Sequence, residues 1–185
     1  MALWQKMKTT CCRYLSAVCL LAGLLLTCNN PFAPGTADEN ERGSLLLTSQ
    51  RNPDEVLQNF QYAYTFKDSL VYSELFDSTF TFISTNFNVS PPEPIVWGRD
   101  QELRTVGRMF RFFNTLDLTF NSVIDRDTLE FSAGDNLPLR IEDNITFTLT
   151  LDGGSTIPTL LGEVIFVYVR RENRWLISRW EDKQI

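Results

Sequence analysis

The spacing of hydrophobic residues changes after the second predicted helix, and this change constrains the fold more than any other sequence feature. Before residue 114 most of them recur at the 3.6-residue period of an α-helix, and after it they alternate with polar residues as in a β-strand. A chain with its helices first and a series of strands afterwards is typical of the α+β class. We therefore predict N-terminal helices packed on one face of a strongly curved antiparallel sheet.

The first predicted helix has a clear start signal. Asn52 offers a capping side chain, and Pro53 suits the first helical position. We expect an interruption near residues 68 and 69 and a continuation to residue 76. The apolar stripe of this helix contains Val56, Leu57, Phe60, Ala63, Tyr64, Leu70 and Val71.

The second predicted helix, residues 99–113, separates apolar from basic side chains. Leu103, Val106, Phe110 and Phe113 share one side. The opposite side carries a row of three arginines, Arg104, Arg108 and Arg111. Three guanidinium groups on one face suit a carboxylate or a phosphate, so the row is a candidate anion-binding site. The alternative is a solvated face that balances an acidic domain.

The alternating segments predict the strands. These segments are residues 79–83, 116–120 and 145–151; residues 164–169 are apolar on both faces, as expected of a central strand, and residues 175–180 form the last strand. The last four are expected to form an antiparallel meander, with turns at residues 152–154 and 172–173. Two adjacent prolines predict a loop over residues 86–94.

The first 28 residues have the pattern of an export signal. Three basic residues and no acidic ones accompany an apolar run, residues 14–26, which is shorter than the about 20 apolar residues that span a bilayer. The run ends in Leu25-Leu26-Thr27-Cys28, which resembles the lipobox of bacterial lipoproteins. The resemblance implies cleavage before Cys28 and lipid attachment to its sulfur. An uncleaved anchor, or an ordinary signal with an incidental cysteine, is the alternative.

Cysteine positions agree with lipid attachment. All four cysteines, Cys11, Cys12, Cys19 and Cys28, lie in the first 28 residues, so the exported domain has no disulfide. We expect a signal peptide (1–27), a flexible tether (28–51) and one α+β domain (52–185). The lipoprotein resemblance implies a protein anchored to the bacterial envelope, and Asn29 favours the outer membrane facing the periplasm. Translation starts at Met1 or at Met7.

Composition excludes several classes of function. The sequence has no histidine, which rules out His-based acid–base pairs, Ser-His-Asp triads and His-rich metal sites. Removing the three positive charges of the leader from the net charge of −6 leaves −9. Nucleic-acid binding needs a basic surface, so we expect no nucleic-acid partner. We also expect no metal and no cofactor.

The order of elements and aromatic residues resembles the NTF2-like superfamily, in particular its SnoaL-like members. The resemblance runs from Asn52 to the C-terminus. It is carried by the first helix with Tyr64, by Phe80-Thr81-Phe82, by Trp97-Gly98-Arg99 and by the ending from Trp175 to Asp182. It implies a bent sheet around helices, a pocket at the open end of this cone, and dimerisation through the sheet. A cystatin-like sheet with other helix positions is the alternative.

The candidate pocket consists of aromatic residues, namely Tyr64, Phe80, Phe82, Trp97 and Trp175. Enzymes of the superfamily place a carboxylate, histidine or tyrosine in the cone. Because this sequence has no histidine, the resemblance implies a pair of Tyr64 with Asp77 or Asp117. Tyr64 is better explained as a core aromatic residue than as a catalytic one, and Asp77 as part of a turn at the end of a helix. Asp125-Arg126-Asp127 is better explained as a solvated turn than as a metal site.

These residues favour a non-catalytic module. We expect its cone to bind a small apolar ligand, or its sheet to pair with a second copy or an envelope protein. The alternative function is a SnoaL-like isomerase or hydrolase that uses a tyrosine–carboxylate pair.

Overall fold

A computed structural model of the chain describes residues 47–154 and 157–183. The predicted signal peptide, the lipid-attachment residue Cys28 and most of the predicted tether lie outside the described residues. No helix within these two ranges has the length and apolarity needed to cross a membrane. In chain order the elements are α1 (Pro53–Phe66), α2 (Ser69–Ser73), β1 (Phe76–Asn86), β2 (Glu93–Gly98), α3 (Arg99–Phe112), β3 (Leu116–Phe131), β4 (Pro138–Leu151), β5 (Leu160–Arg171) and β6 (Arg174–Lys183).

Side-chain caps begin both α1 and α2, and a left-handed residue ends α1 between them. The side chain of Asn52 accepts a hydrogen bond from the backbone of Glu55 at 2.9 Å, which confirms the predicted start of α1. Lys67 ends α1 in the left-handed conformation, with φ of 53°, and Asp68 caps α2. The predicted interruption is therefore confirmed.

The predicted continuation of this helix is wrong in two respects. α2 ends at Ser73, and Phe76 already belongs to β1. Leu70 is exposed over 79% of its surface, because the break changes the direction of the stripe and α2 is too short to restore it. The stripe within α1 itself, from Val56 to Tyr64, is buried as expected.

Six strands form one curved sheet in the order β2-β1-β6-β5-β4-β3. The predicted meander of β3 to β6 is confirmed, and every pair within it is antiparallel. β1 pairs parallel with β6, so the sheet is mixed and not antiparallel throughout. β2 was not predicted, because two prolines precede it and Pro94 lies within it. An edge strand tolerates such a residue, since one side of its backbone needs no ladder partner.

Phe60 of α1 lies at the centre of the core between the helices and the sheet. Its ring is within 5.2–6.2 Å of six other aromatic rings, contributed by Tyr64, Tyr72, Phe76, Phe120, Phe166 and Trp180. Phe80 and Phe82 are both buried, as the alternation in β1 predicts. β5 lies inside the sheet and buries residues on both of its faces, which confirms the prediction of a central strand.

Ordered packing begins before the predicted start of the domain. The backbone N–H of Thr48 donates to Asn59 at 2.8 Å, and the backbone N–H of Trp175 donates to the carbonyl of Gln50 at 2.7 Å. Gln50 is only 2% exposed. Residues 48–50, which the sequence assigns to the tether, therefore pack on the domain because a buried Asn59 side chain needs hydrogen-bonding partners.

Two acidic segments lie in strands and not in the predicted turns. Asp125-Arg126-Asp127 lies within β3, whose second half is exposed and therefore lacks the alternation that identifies a strand. Asp77 lies in β1 and is 3% exposed, because Arg171 of β5 covers it with hydrogen bonds of 2.8 and 3.2 Å. In both segments a charged side chain forms an ion pair with a residue distant in sequence, Arg126 with Asp143 and Asp77 with Arg171.

Candidate functional site

A cavity of about 380 Å³ lies between α1 and the sheet. Phe60 and Tyr64 of α1 line it on one side. On the sheet side its largest side chains are Phe120, Phe147, Phe166 and Trp180. Leu161, which is 73% exposed, lies at its rim. This volume falls in the range of small-molecule sites, and an apolar lining is typical of them.

Gly162 of β5 determines how much of this space is free. It pairs with Phe147 of β4, whose ring lies directly against the glycine backbone. A Cβ atom at residue 162 would be 2.3 Å from Cζ of Phe147, closer than two such atoms can approach. The ring keeps its present position because residue 162 has no side chain.

Asp182 places a carboxyl group in the apolar cavity. Its Oδ1 accepts a hydrogen bond from Trp180 Nε1 at 2.6 Å. Burial raises the pKa of Asp182, while the hydrogen bonds from Trp180 and Ser84 act in the opposite direction. At the exposed edge of the same cavity, Lys183 forms an ion pair with Glu163 at 3.0 Å. A carboxyl group of raised pKa in a cavity is a candidate for ligand contact or proton transfer.

A second buried carboxyl group, that of Glu102, lies next to the cavity tyrosine. Tyr72 donates to Glu102 Oε1 at 2.7 Å, and Trp97 Nε1 donates to its Oε2 at 2.7 Å. Burial raises the pKa of Glu102. Burial also raises the pKa of Tyr64, and the charge of Glu102 adds to this effect, so the phenol stays neutral. Tyr64 therefore carries a neutral hydroxyl group, which interacts with the hydroxyl group of Tyr72.

The predicted pocket residues separate into one that lines the cavity and four that do not. Tyr64 lines it. Phe80, Phe82 and Trp175 are 3–6% exposed and belong to the core. Trp97 stacks on Phe82, with ring centroids 4.1 Å apart.

Neither of the predicted tyrosine–carboxylate pairs forms. Asp77 is paired with Arg171 on the face of β1 opposite Phe80. Asp117 is exposed, and it points away from its buried neighbours Leu116 and Leu118. The structure instead brings Asp182 and Glu102 close to Tyr64. Neither carboxyl group was predicted from the sequence. Glu102 could have been found from its place one helical turn before Val106, on the apolar side of α3.

The arginine row is solvated. Arg104, Arg108 and Arg111 are exposed, and Arg104 donates to the side chain of Gln101 at 3.0 Å. Within the part of the chain that the structure describes, none of the three has a carboxylate partner. In the same ranges, no group of three or more acidic or thiol side chains could hold a metal ion. Anion binding by the row stays a prediction.

Solved structures resemble this domain, although no family model and no curated protein sequence matches the chain. A protein of Novosphingobium aromaticivorans described as a candidate scytalone dehydratase has a TM-score of 0.56 and 14% identity, covering 71% of this chain and 80% of the other. A cystatin-like protein of Caulobacter vibrioides has a TM-score of 0.54 and 14% identity, covering 71% and 86%. An NTF2-like protein of Shewanella oneidensis has a TM-score of 0.52 and 13% identity, covering 71% and 95%. The predicted fold class is thus confirmed: the domain has the NTF2-like, cone-shaped α+β fold.

Proposed function

We propose that the cone binds a small, mainly apolar ligand whose single polar group reaches Asp182. The observation that carries this proposal is the aromatic cavity of about 380 Å³ with one desolvated carboxyl group in it. Apolar contact supplies the binding free energy, at about 0.8 kcal/mol for each buried methylene. Asp182 supplies orientation, because a buried polar group disfavours ligands that leave it without a partner.

Ligand binding is tested with N-phenyl-1-naphthylamine, an uncharged fluorescent probe, on the purified protein. In Gly162→Ala the new methyl group displaces the Phe147 ring into the cavity, so we expect at least about tenfold weaker binding. Gly107→Ala is the matched control, since a Cβ atom at residue 107 meets its nearest neighbour at 3.9 Å. Leu149→Phe, which fills the cavity from β4, is a second closing variant.

Two outcomes of this experiment are informative. Loss of probe binding in both closing variants, with Gly107→Ala unchanged, supports the cone as the binding site. Equal binding by all variants means that the probe binds elsewhere and rejects the proposal. Circular dichroism of each variant shows whether a loss of binding comes from a loss of folding.

The binding module is proposed to act at the bacterial envelope, held by lipid on Cys28. This proposal is supported by the lipobox resemblance of residues 25–28 and by the position of all cysteines in the first 28 residues. We expect metabolic labelling with a palmitate analogue in the wild type and none in Cys28→Ser. Fractionation of inner from outer membranes then tests the proposed outer-membrane location. An intact leader on the membrane-associated protein would reject lipid anchoring.

A second candidate function is the enzymatic one, which Asp182 and Tyr64 favour. Both residues line the cavity, and a structural neighbour is described as a candidate scytalone dehydratase. Ionised Asp182 would remove a proton from the carbon next to a ligand carbonyl, while the neutral hydroxyl of Tyr64 donates to the carbonyl oxygen. Returning the proton to the γ carbon would convert a β,γ-unsaturated ketone into its conjugated isomer.

Turnover distinguishes the enzyme from the binding module. A β,γ-unsaturated cyclic ketone that fits the cavity gains ultraviolet absorbance when it isomerises. The enzymatic function requires turnover that Asp182→Asn removes and that Asp117→Asn leaves unchanged, since Asp117 is exposed and does not line the cavity. If the wild type binds the probe but shows no turnover, the enzymatic function is rejected and the binding module is supported.

A protein partner of the domain, either a second copy or an envelope protein, is proposed to bind at β3. This strand is an edge of the sheet, and four of its apolar side chains are 39–55% exposed, namely Val123, Ile124, Leu129 and Phe131. Exposed apolar residues on an edge strand indicate an interaction surface. Sedimentation equilibrium of the wild type and of Ile124→Lys tests self-association. A monomeric wild type rejects the homodimer.

A further inference from the structure

Three arginines line a hollow of about 760 Å³ that is separate from the cone cavity. Arg51 precedes α1, Arg170 lies near the end of β5, and Arg174 begins β6. Glu74 is the single acidic residue that lines the same hollow. The chain as a whole is acidic, with a net charge of −6, so a local excess of two positive charges is unusual for it. We call this feature the arginine hollow.

Buried polar side chains form part of the lining. Gln50 and Asn59 are 2% and 5% exposed. Asn59 accepts from the backbone of Thr48 at 2.8 Å and donates to the Thr48 carbonyl at 3.1 Å. Gln50 donates to the Trp175 carbonyl at 3.3 Å and accepts from Arg174. The polar wall is therefore held rigidly before any ligand arrives, which lowers the entropic cost of binding.

The three guanidinium groups differ in how many of their N–H donors already have a hydrogen-bond partner. Arg174 donates to Gln50 and lies 3.4 Å from a carboxylate oxygen of Glu74. The backbone N–H of Arg51 donates to Glu55 at 2.7 Å, but the guanidinium groups of Arg51 and Arg170 have no carboxylate partner among residues 47–154 and 157–183. Each guanidinium group has five N–H donors in a planar fork. Two arginines with free donors, beside a third that is fixed in place, match the tetrahedral oxygens of a phosphate.

We propose that the arginine hollow binds a compound through a phosphate group. Arg51 and Arg170 supply the charge and the free donors, while Arg174 and the amide of Gln50 hold the binding surface in shape. The hollow is much larger than a phosphate ion, so the remainder of the compound also has room. A soluble phosphorylated metabolite and the headgroup of a phospholipid share this chemistry. Because none of these residues lines the cone cavity, the site is independent of the proposed ligand of the cone.

The test is isothermal titration of the full-length protein at low ionic strength, where charged contacts are least screened. One arm uses glycerol 3-phosphate, and the other uses dihexanoyl phosphatidic acid below its micelle concentration. The variant Arg51→Gln/Arg170→Gln is expected to bind about 10- to 100-fold more weakly than the wild type. Its matched control is Lys67→Gln/Arg140→Gln, which removes the same charge from two residues that line neither the hollow nor the cone cavity and do not belong to the arginine row of α3.

The outcomes separate the site from general charge attraction. Weaker binding in the first double variant with unchanged binding in the control supports the arginine hollow. Similar binding of the two compounds then indicates a soluble phosphate, and much tighter binding of the lipid indicates a headgroup. Equal loss in the two double variants, or no binding of either compound to the wild type, overturns the proposal. The single variant Arg51→Gln, at an exposed residue, repeats the test if the double variant does not fold.

Discussion

Arg126→Met tests the ion-pair network that joins α1 to the sheet. Arg126 forms two hydrogen bonds of 2.7 Å with Asp143, whose side chain is 0% exposed, and one of 2.7 Å with Asp54, whose side chain is 67% exposed. The substitution leaves the Asp143 carboxylate buried without a positive partner. Breaking a buried pair in this way costs about 3–5 kcal/mol, and the lower end applies here because Arg126 is 34% exposed and water can follow.

Two comparison variants separate the inner from the outer half of the network. Asp54→Asn removes the exposed partner of Arg126, and we expect a cost of less than about 1 kcal/mol. Arg126→Met/Asp143→Leu removes both charges of the inner pair, and it should recover most of the loss in Arg126→Met. Urea unfolding followed by circular dichroism measures each free energy of unfolding. If Arg126→Met costs no more than Asp54→Asn, the inner pair of Arg126 with Asp143 does not stabilise the fold.

The same variant predicts a dependence on pH. Burial raises the pKa of Asp143 and Arg126 lowers it, so removing Arg126 raises the pKa of the folded state further. A carboxyl group with a raised pKa binds its proton more tightly in the folded than in the unfolded state. Its folded state therefore loses stability as the pH rises from the ordinary aspartate pKa toward the raised one. The difference in stability between wild type and Arg126→Met should accordingly be smaller at pH 5 than at pH 7.

Three further substitutions test the packing around the site. Glu102→Leu leaves Tyr72 and Trp97 as buried donors without an acceptor and should cost about 2–4 kcal/mol in urea unfolding, whereas Glu102→Gln keeps one acceptor and should cost less than half of that. Asn52→Ala removes the α1 cap and should lower the free energy of unfolding by about 1 kcal/mol. Arg171 holds the pKa of Asp77 well below its ordinary value, so Asp77→Asn should destabilise the protein by about 1 kcal/mol at pH 7, and this difference should shrink as the pH falls below about 4.

Local signals in the sequence predicted the parts of the fold that depend on a few neighbouring residues. The cap at Asn52, the alternation that buries Phe80 and Phe82, and the tight turn at residues 172–173 all follow from contacts over a few positions. The parallel pairing of β1 with β6 joins Phe82 to Trp180, almost 100 residues apart. No local pattern specifies such a pair, so the sequence led to an antiparallel sheet and left β2 unrecognised.

The candidate site was harder to predict than the fold, because its polar residues come from different strands. Asp182 belongs to β6 and Ser84 to β1, and their nearness depends on the parallel pairing of those two strands. The aromatic residues chosen from the sequence are mostly those that the core itself requires. Burial of Phe82 against Trp97 is a matter of stability, and the same hydrophobic pattern would result whether or not the cone held a ligand.

Gly162 indicates that the cavity is retained for a reason other than stability. The aromatic residues do not indicate this, because the core requires them in any case. A glycine inside a strand destabilises a protein by about 0.5–1 kcal/mol relative to alanine, because it has more freedom in the unfolded chain. Stability alone would therefore favour a larger residue at position 162, together with a smaller one at position 147. The chain instead pairs glycine with phenylalanine, and this arrangement keeps the large ring against the sheet beside an open space. The pair thus keeps the cavity open, which is the result expected if the space serves a ligand.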